Sequence, residues 1–264
     1  MPLDTLQAHC RALRLPTLAA VLPQAVQTAQ REDWSLETFL AHLLEQELAG
    51  RLERRITRMT KAAHLPAGKT LDTFELQRLP LRLRRQIPTL SQGDFIPRAD
   101  NLLIFGRPGT GKTHLAVACG HAWVQANYSV LFAPTFKLVG QLLRAKRDYE
   151  LERELRQLDH FQVVILDDLG YVQQSREEME VLFTFLAERY ERRSVVITSN
   201  LVFSQWNQIF KDPLTTAAAI DRVVHHSIIV EFGADIPSMR AEHAAQRNGI
   251  VLGGPSQTAT DPEA

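Results

Sequence analysis

The sequence predicts an α/β fold, a doubly wound parallel sheet preceded by a small helical domain. Three observations carry that prediction. Residues 1–68 hold apolar positions at helical spacing and no strand-like run. From Asn101 onward, five short apolar runs rich in β-branched residues alternate with helical patterns. A glycine-rich turn joins the first of those runs to the helix after it.

In the opening segment the clearest helix runs from Ser35 to about Lys61. Ser35 can cap it, and Trp34 with Phe39 has the spacing of a hydrophobic staple. Pro66 and Gly68 close the segment. Residues 69–98, with Pro80, Pro88, Gly93 and Pro97, read as a linker. The strands are NLLIF from Asn101, SVLFA from Ser129, QVVIL from Gln162, SVVIT from Ser194 and SIIVEF from Ser227. All are apolar on both faces, as buried parallel strands are. They place a second domain at 99–248, and the polar, Pro/Gly-rich residues 249–264 read as a flexible tail.

Lys plus Arg equal Asp plus Glu at 30 each, so any basic surface must be local. Cys10 and Cys119 are far apart in a sequence that opens without a secretion signal, which points to a reducing, cytoplasmic setting. No run approaches the ~20 apolar residues of a membrane span, so no membrane partner is expected.

GRPGTGKT matches the phosphate-binding pattern G-x-x-x-x-G-K-[ST], between a strand and a helix. Gly106, Arg107, Pro108, Gly109, Thr110, Gly111, Lys112, Thr113 and His114 are therefore the expected ATP contacts. Glycines let the backbone N–H groups converge on a phosphate, and the helix N-terminus adds positive potential. Lys112 would neutralise phosphate oxygens, and Thr113 would offer its hydroxyl to Mg²⁺. VVILDDLG then ends an apolar strand in two acids at the sheet's C-terminal edge. Asp167 is the expected Mg²⁺ holder and Asp168 the group that polarises the attacking water. The fourth strand runs into Thr198, Ser199 and Asn200, whose amide could sense the terminal phosphate.

GRPGTGKT, VVILDDLG and VITSN, in this order, resemble an AAA+ ATPase. IDRVVHHSIIVEF from Ile220, SMR from Ser238, RLPTLAAVLPQA from Arg14 and TKAAHLPAGKTLDTFEL from Thr60 resemble the IstB-like ATPases. These are helper proteins of bacterial insertion-sequence transposition, similar to the DnaC helicase loader and the DnaA initiator. The likeness covers about Leu13 to Arg247. It implies a five-stranded AAA+ sheet and ATP held between neighbouring subunits, hence a homo-oligomer. It also implies an arginine finger at Arg222 and a second sensor arginine at Arg240. Where such ATPases commonly carry Glu, this chain has Asp168, one methylene shorter, so slow hydrolysis stimulated by DNA or a partner is expected.

Between Arg51 and Arg85 ten basic residues face three acidic ones, in a chain that is neutral overall. At helical spacing Arg51, Arg54, Arg55, Arg58 and Lys61 fall within roughly a third of the circumference. Leu52, Ile56 and Met59 are expected to face a core. Such a stripe suits the backbone of double-stranded DNA. A second DNA candidate lies between the second and third strands, in a stretch long enough for two helices, with Lys137, Arg144, Lys146 and Arg147. The reading is an ATP-dependent protein that assembles on duplex DNA and recruits a transposase. The alternatives are a helicase loader, a small-metabolite kinase and an ATP-gated scaffold. His225 and His226 carry no metal-ligand spacing in the sequence.

Overall fold

The computed structural model describes residues 2–170, 175–201, 205–206, 223–233, 236 and 238. The chain divides into two compact units, residues 1–62 and 63–264. The expected tail, 249–264, lies outside the described residues.

The first unit is three helices: α1 (Leu3–Ala12), α2 (Pro16–Arg31) and α3 (Leu36–Ala62). Pro16 starts α2, where a missing N–H costs nothing. Leu18, Leu22, Ala25 and Leu43 form the buried core, with Cys10 and Phe39 packed against it. Ser35 caps α3, its Oγ accepting from the Thr38 N–H at 3.2 Å. The indole of Trp34 meets the edge of His42 at 5.0 Å, while Phe39 turns to the core.

A buried glutamate joins α2 to α3. Glu47 Oε2 accepts from the backbone N–H of Thr17 (2.9 Å) and Leu18 (3.0 Å). These belong to the first turn of α2, whose N–H groups have no intrahelical partner. Gly50 makes the approach possible, because a Cβ there would sit 2.3 Å from Thr17 Oγ1. Farther along α3 the expectation fails. Leu52 is 46% exposed, and neither Ile56 nor Met59 is buried. At 1.5 Å per residue α3 is about 40 Å long and α2 about 24 Å, so α3 outruns its cover.

In the second unit β1 (Asn101–Gly106), β2 (Val130–Pro134), β3 (Val163–Leu169), β4 (Ser194–Ser199) and β5 (Ser227–Phe232) form one parallel sheet. The order is β2-β3-β4-β1-β5. Its C-terminal edge therefore gathers the ends of β3, β4 and β1, three neighbouring strands. The helix α5 (Lys112–Gln125) follows β1 and packs against β1 to β4. Helices α6 (Thr135–Arg147), α7 (Leu151–Asp159) and α8 (Arg176–Arg189) form a second helical layer. Its core includes Leu138, Leu142, Leu158, Leu182, Phe185 and Trp206. The α6–α7 pair fills the stretch expected to hold two helices. Cys119 is fully buried in α5, and burial pushes its thiol up to about 12.

Residues 69–98, expected as a linker, instead hold helix α4 (Leu81–Gln92), numbered by its place in the chain, with Leu83, Ile87 and Leu90 buried. Pro80 stands just before its first turn, and Gly93 ends it in the left-handed region at φ 78°. The Trp123 indole donates to the Leu90 carbonyl at 2.8 Å and fastens α4 to α5.

Candidate nucleotide site and basic surfaces

The loop from Gly106 to Thr113 rises from the end of β1 and enters α5. Gly109 and Gly111 take φ of 83° and 103°, conformations that side-chain-bearing residues rarely adopt. Gly106 is fixed by packing, because a Cβ would come 2.5 Å from Phe232 Cβ on β5. Within the loop Thr110 Oγ1 donates to the Arg107 carbonyl at 2.8 Å. The Lys112 ammonium is buried and donates to the same carbonyl at 2.9 Å. This arrangement is a concave cradle with a cation held in its own loop, the donor set a polyphosphate requires.

At the end of β3, Asp167 is 8% exposed. Its Oδ1 accepts from Thr198 Oγ1 at 2.6 Å, and the carboxylate also accepts from the Thr113 hydroxyl. Burial, with Asp168 adding to it, raises the Asp167 pKa against the two hydroxyls and Lys69. A buried carboxylate held chiefly by neutral hydroxyls is short of positive charge, and a divalent cation beside Thr113 fits that deficit.

Asp168 differs. The β3–β4 register shifts between Leu166 and Leu169, and Asp168 takes φ 58° with its side chain exposed. Its N–H leaves the ladder and donates to Thr198 Oγ1 at 2.9 Å. Thr198 thus donates to one acid and accepts from the backbone of the next, which fixes the pair. Asn200 follows β4 at this same edge, half-buried. Arg222 and Arg240 lie outside the described residues.

Two contributions to the site are not marked in the sequence. Thr198 looks there like any strand end, because a bulge-bridging hydroxyl has no sequence signature. The segment before α4 also reaches the loop. His114 Nε2 lies 3.2 Å from the Thr70 carbonyl and 3.2 Å from Thr73 Oγ1, with the Phe74 ring edge-on at 5.1 Å. Burial and Lys69 lower the His114 pKa against the Thr70 carbonyl, so the neutral ring is favoured. The signal was there in KTLDTF, masked by the prolines that follow.

The basic stripe of α3 splits into two groups. Arg51 donates to Glu47 (2.9 Å) and to the Arg14 carbonyl (3.0 Å). Arg54 donates to Thr17 Oγ1 (2.6 Å) and to Glu47 (3.3 Å). Both are tied into the helix junction. Arg55, Arg58 and Lys61 are exposed. Arg11 and Arg14, on the facing turn, line one cleft with Arg51, Arg54, Arg55 and Arg58. The sequence pattern of a single helix could not show those two. On α6, Lys146 and Arg147 pair with Glu180 (2.8 Å) and Glu177 (3.6 Å) of α8, whereas Lys137 and Arg144 are exposed.

Comparison with known proteins places these features in a group. The family model described as IstB-like ATP binding protein matches residues 8–247. A protein of Sinorhizobium fredii named as an insertion sequence ATP-binding protein is 42% identical over 253 residues, covering 96% of this chain and 84% of its own. The insertion sequence IS21 ATP-binding protein of Pseudomonas aeruginosa is 37% identical, covering 81% of each. Among solved structures the DnaC helicase loader aligns with a TM-score of 0.52 at 20% identity, over 63% of this chain and 98% of its own. AMPPCP-bound DnaA from Aquifex aeolicus gives 0.52 at 18%, over 72% and 58%. At such identities the likeness is one of fold, the AAA+ sheet.

Proposed function

The chain belongs to the family of IstB-like ATP-binding proteins, and on that footing we propose that it is an ATPase that assembles on duplex DNA to assist transposition. The observation that carries the ATPase reading is the joining of Thr113, Asp167, Thr198 and the Asp168 backbone at one sheet edge, beside a glycine cradle.

In this reading the loop N–H groups and Lys112 bind the β- and γ-phosphates of ATP, with Gly106, Arg107, Pro108, Gly109, Thr110, Gly111 and His114 shaping the loop. Thr113 and Asp167 hold Mg²⁺, which supplies charge neutralisation at the phosphoryl group when bound. The Lys112 ammonium carries three N–H donors, so it can meet a phosphate while one of them stays on the Arg107 carbonyl. Asp168, held at φ 58° with its carboxylate exposed, accepts a proton from the attacking water. Asn200 orients that water. Arg222 reaches the nucleotide of a neighbouring subunit, and Arg240 contacts phosphate in its own. Residues 99–248 act as the ATPase domain.

The DNA partner is proposed from charge. Arg55, Arg58 and Lys61, joined by Arg11 and Arg14, form the main phosphate contact, with Lys137 and Arg144 as a second. Arg51 and Arg54 lend charge while holding the helices together. Repetition of these contacts in a homo-oligomer would offset the deformation of a duplex, of order several kcal/mol. Recruitment of the transposase encoded by the same element completes the role, in the cytoplasm where the DNA lies.

The test is sedimentation of the full chain with Mg²⁺, a non-hydrolysable ATP analogue and a duplex of about 50 base pairs, an arbitrary length chosen to seat several subunits. The expected result is a multi-subunit complex that needs both nucleotide and DNA. A monomer under all conditions overturns the assembly reading, and phosphate release with and without DNA tests the ATPase reading separately.

A further inference from the structure

The N-terminal edge of the sheet, opposite the phosphate loop, carries a second cluster with its own chemistry. Glu191 lies in the turn between α8 and β4, and His225 with His226 immediately precedes β5. In the parallel order β2-β3-β4-β1-β5, the starts of β4 and β5 flank the start of β1. Glu191 is far in sequence from the adjacent pair His225 and His226, and the fold brings it to them.

Their ligand atoms all lie within 4.8 Å of one another. His226 Nε2 is 3.5 Å from Glu191 Oε1. With bonds near 2.1 Å, tetrahedral zinc ligands stand about 3.4 Å apart, so this pair is already at ligand separation. The His225 and His226 rings are 4.3 Å apart at 78°. Tyr190 Oη lies 3.3 Å from His225 Nδ1, a contact that helps to fix the orientation of the ring.

The backbone beneath the cluster is fixed by buried polar groups. The Asn101 side chain accepts from Val195 N–H (2.9 Å) and donates to the Val223 carbonyl (3.2 Å). Its N–H donates to the His226 carbonyl at 2.6 Å. Arg189, 2% exposed, donates to the carbonyls of Leu158, Phe161, Gln162 and Ser194. The turn that carries Glu191 and the turn that carries the histidines are therefore both anchored to the sheet. Rigid support of this kind is what a metal site needs.

We propose that Glu191, His225 and His226 bind one Zn²⁺ ion, with water in the fourth position. Two imidazole nitrogens and a carboxylate suit a borderline divalent metal such as zinc, and disfavour Mg²⁺ and Ca²⁺, which take oxygen ligands. A bound ion ties the turn after α8 to the start of β5 and stiffens that edge of the sheet.

The experiment is equilibrium dialysis of the full chain against Zn²⁺ in the absence of nucleotide and Mg²⁺, with metal content measured and X-ray absorption at the zinc edge. The expected result is one retained equivalent with two imidazole ligands and a raised melting temperature. His225→Ala with His226→Ala should lose that equivalent while ATP binding persists. Glu191→Gln should weaken it at least about tenfold, and Tyr190→Phe about tenfold, as loss of an outer-shell partner does. If the double variant loses ATP binding, Glu191→Gln and the absorption spectrum decide alone. Equal zinc uptake by wild type and the variants, or no uptake by wild type, overturns the proposal.

Discussion

Among the described residues the two units each bury one carboxylate, and the two are satisfied in opposite ways. In the helical unit, burial pushes the Glu47 pKa up. The N–H of Leu18, the Arg51 guanidinium and the N–H of Thr17 outweigh that and hold it below the usual range. In the sheet unit, burial pushes Asp167 up, and the hydroxyls of Thr198 and Thr113 do not outweigh it. Glu47 is completed by its own chain and Asp167 is not. A buried charge that its protein completes is architecture, whereas one left short of positive charge marks a place for something else.

The comparison would break most visibly at Lys112. Lys112→Ala removes the cation from the cradle, and phosphate release should fall about 10²–10³-fold, the loss expected when one preorganised charge contact goes. Melting temperature should move far less than the rate, because the Lys112 contact with the Arg107 carbonyl lies within its own loop. An unaltered rate would remove the phosphate loop from the mechanism.

Glu47→Ala sharpens the other side. It leaves the first turn of α2 without a partner and two arginines without their anion. Stability should fall by about 2–4 kcal/mol, discounted because both arginines are half exposed. Calorimetry should show the helical unit melting early while ATP affinity is kept. The pH sign follows from the lowered pKa. The stabilisation is complete above the ordinary glutamate range and is lost as pH falls below it.

Asp167→Asn should act in the reverse sense. Since the Asp167 pKa is raised, its ionised form costs the folded chain stability, and that cost grows as pH rises through the folded value. Without nucleotide or Mg²⁺ at neutral pH, the variant should melt about 2–4 °C higher, the shift of roughly 1 kcal/mol in a unit of this size. The gain should vanish as pH falls and the wild-type carboxyl protonates. Mg²⁺ should stabilise wild type with ATP but not the variant. A lower melting point for the variant at neutral pH would sink the argument.

The sheet unit was legible because its signals are local. Each strand announces itself by apolar β-branched runs, and the cradle by glycines between a strand and a helix. The sheet's C-terminal edge then followed from parallel topology, which placed Asp167 beside the loop. What stayed hidden depends on distant pairs. Glu47 carries no signal of its own in the sequence, because only the fold brings the start of α2 onto it. The α4 segment read as a linker because Pro80, Pro88 and Gly93 look like breakers, yet Pro80 only precedes the helix and Gly93 ends it. Leu52 read as core because periodicity says which residues share a face and not whether anything covers that face.

The same contrast divides the basic stripe, and this gives the smallest and most discriminating test. Arg51 is bound to a buried anion and to a backbone carbonyl, while Arg58 is exposed on the rim of the same cleft. If DNA lies in the cleft, Arg58→Ala should lower affinity and reduce the slope of log K against log salt by about one, because one phosphate contact releases about one counterion. Its melting temperature should stay within error. Arg51→Ala should cost about 1 kcal/mol of stability, since a half-exposed pair is partly screened. Any change it makes in DNA binding should then follow the loss of folded helical unit. Measuring both quantities for both variants separates a charge used to hold helices from a charge offered to a partner. Equal slopes for Arg58→Ala and wild type would move the DNA contact away from this helix, to Lys137 and Arg144 on α6.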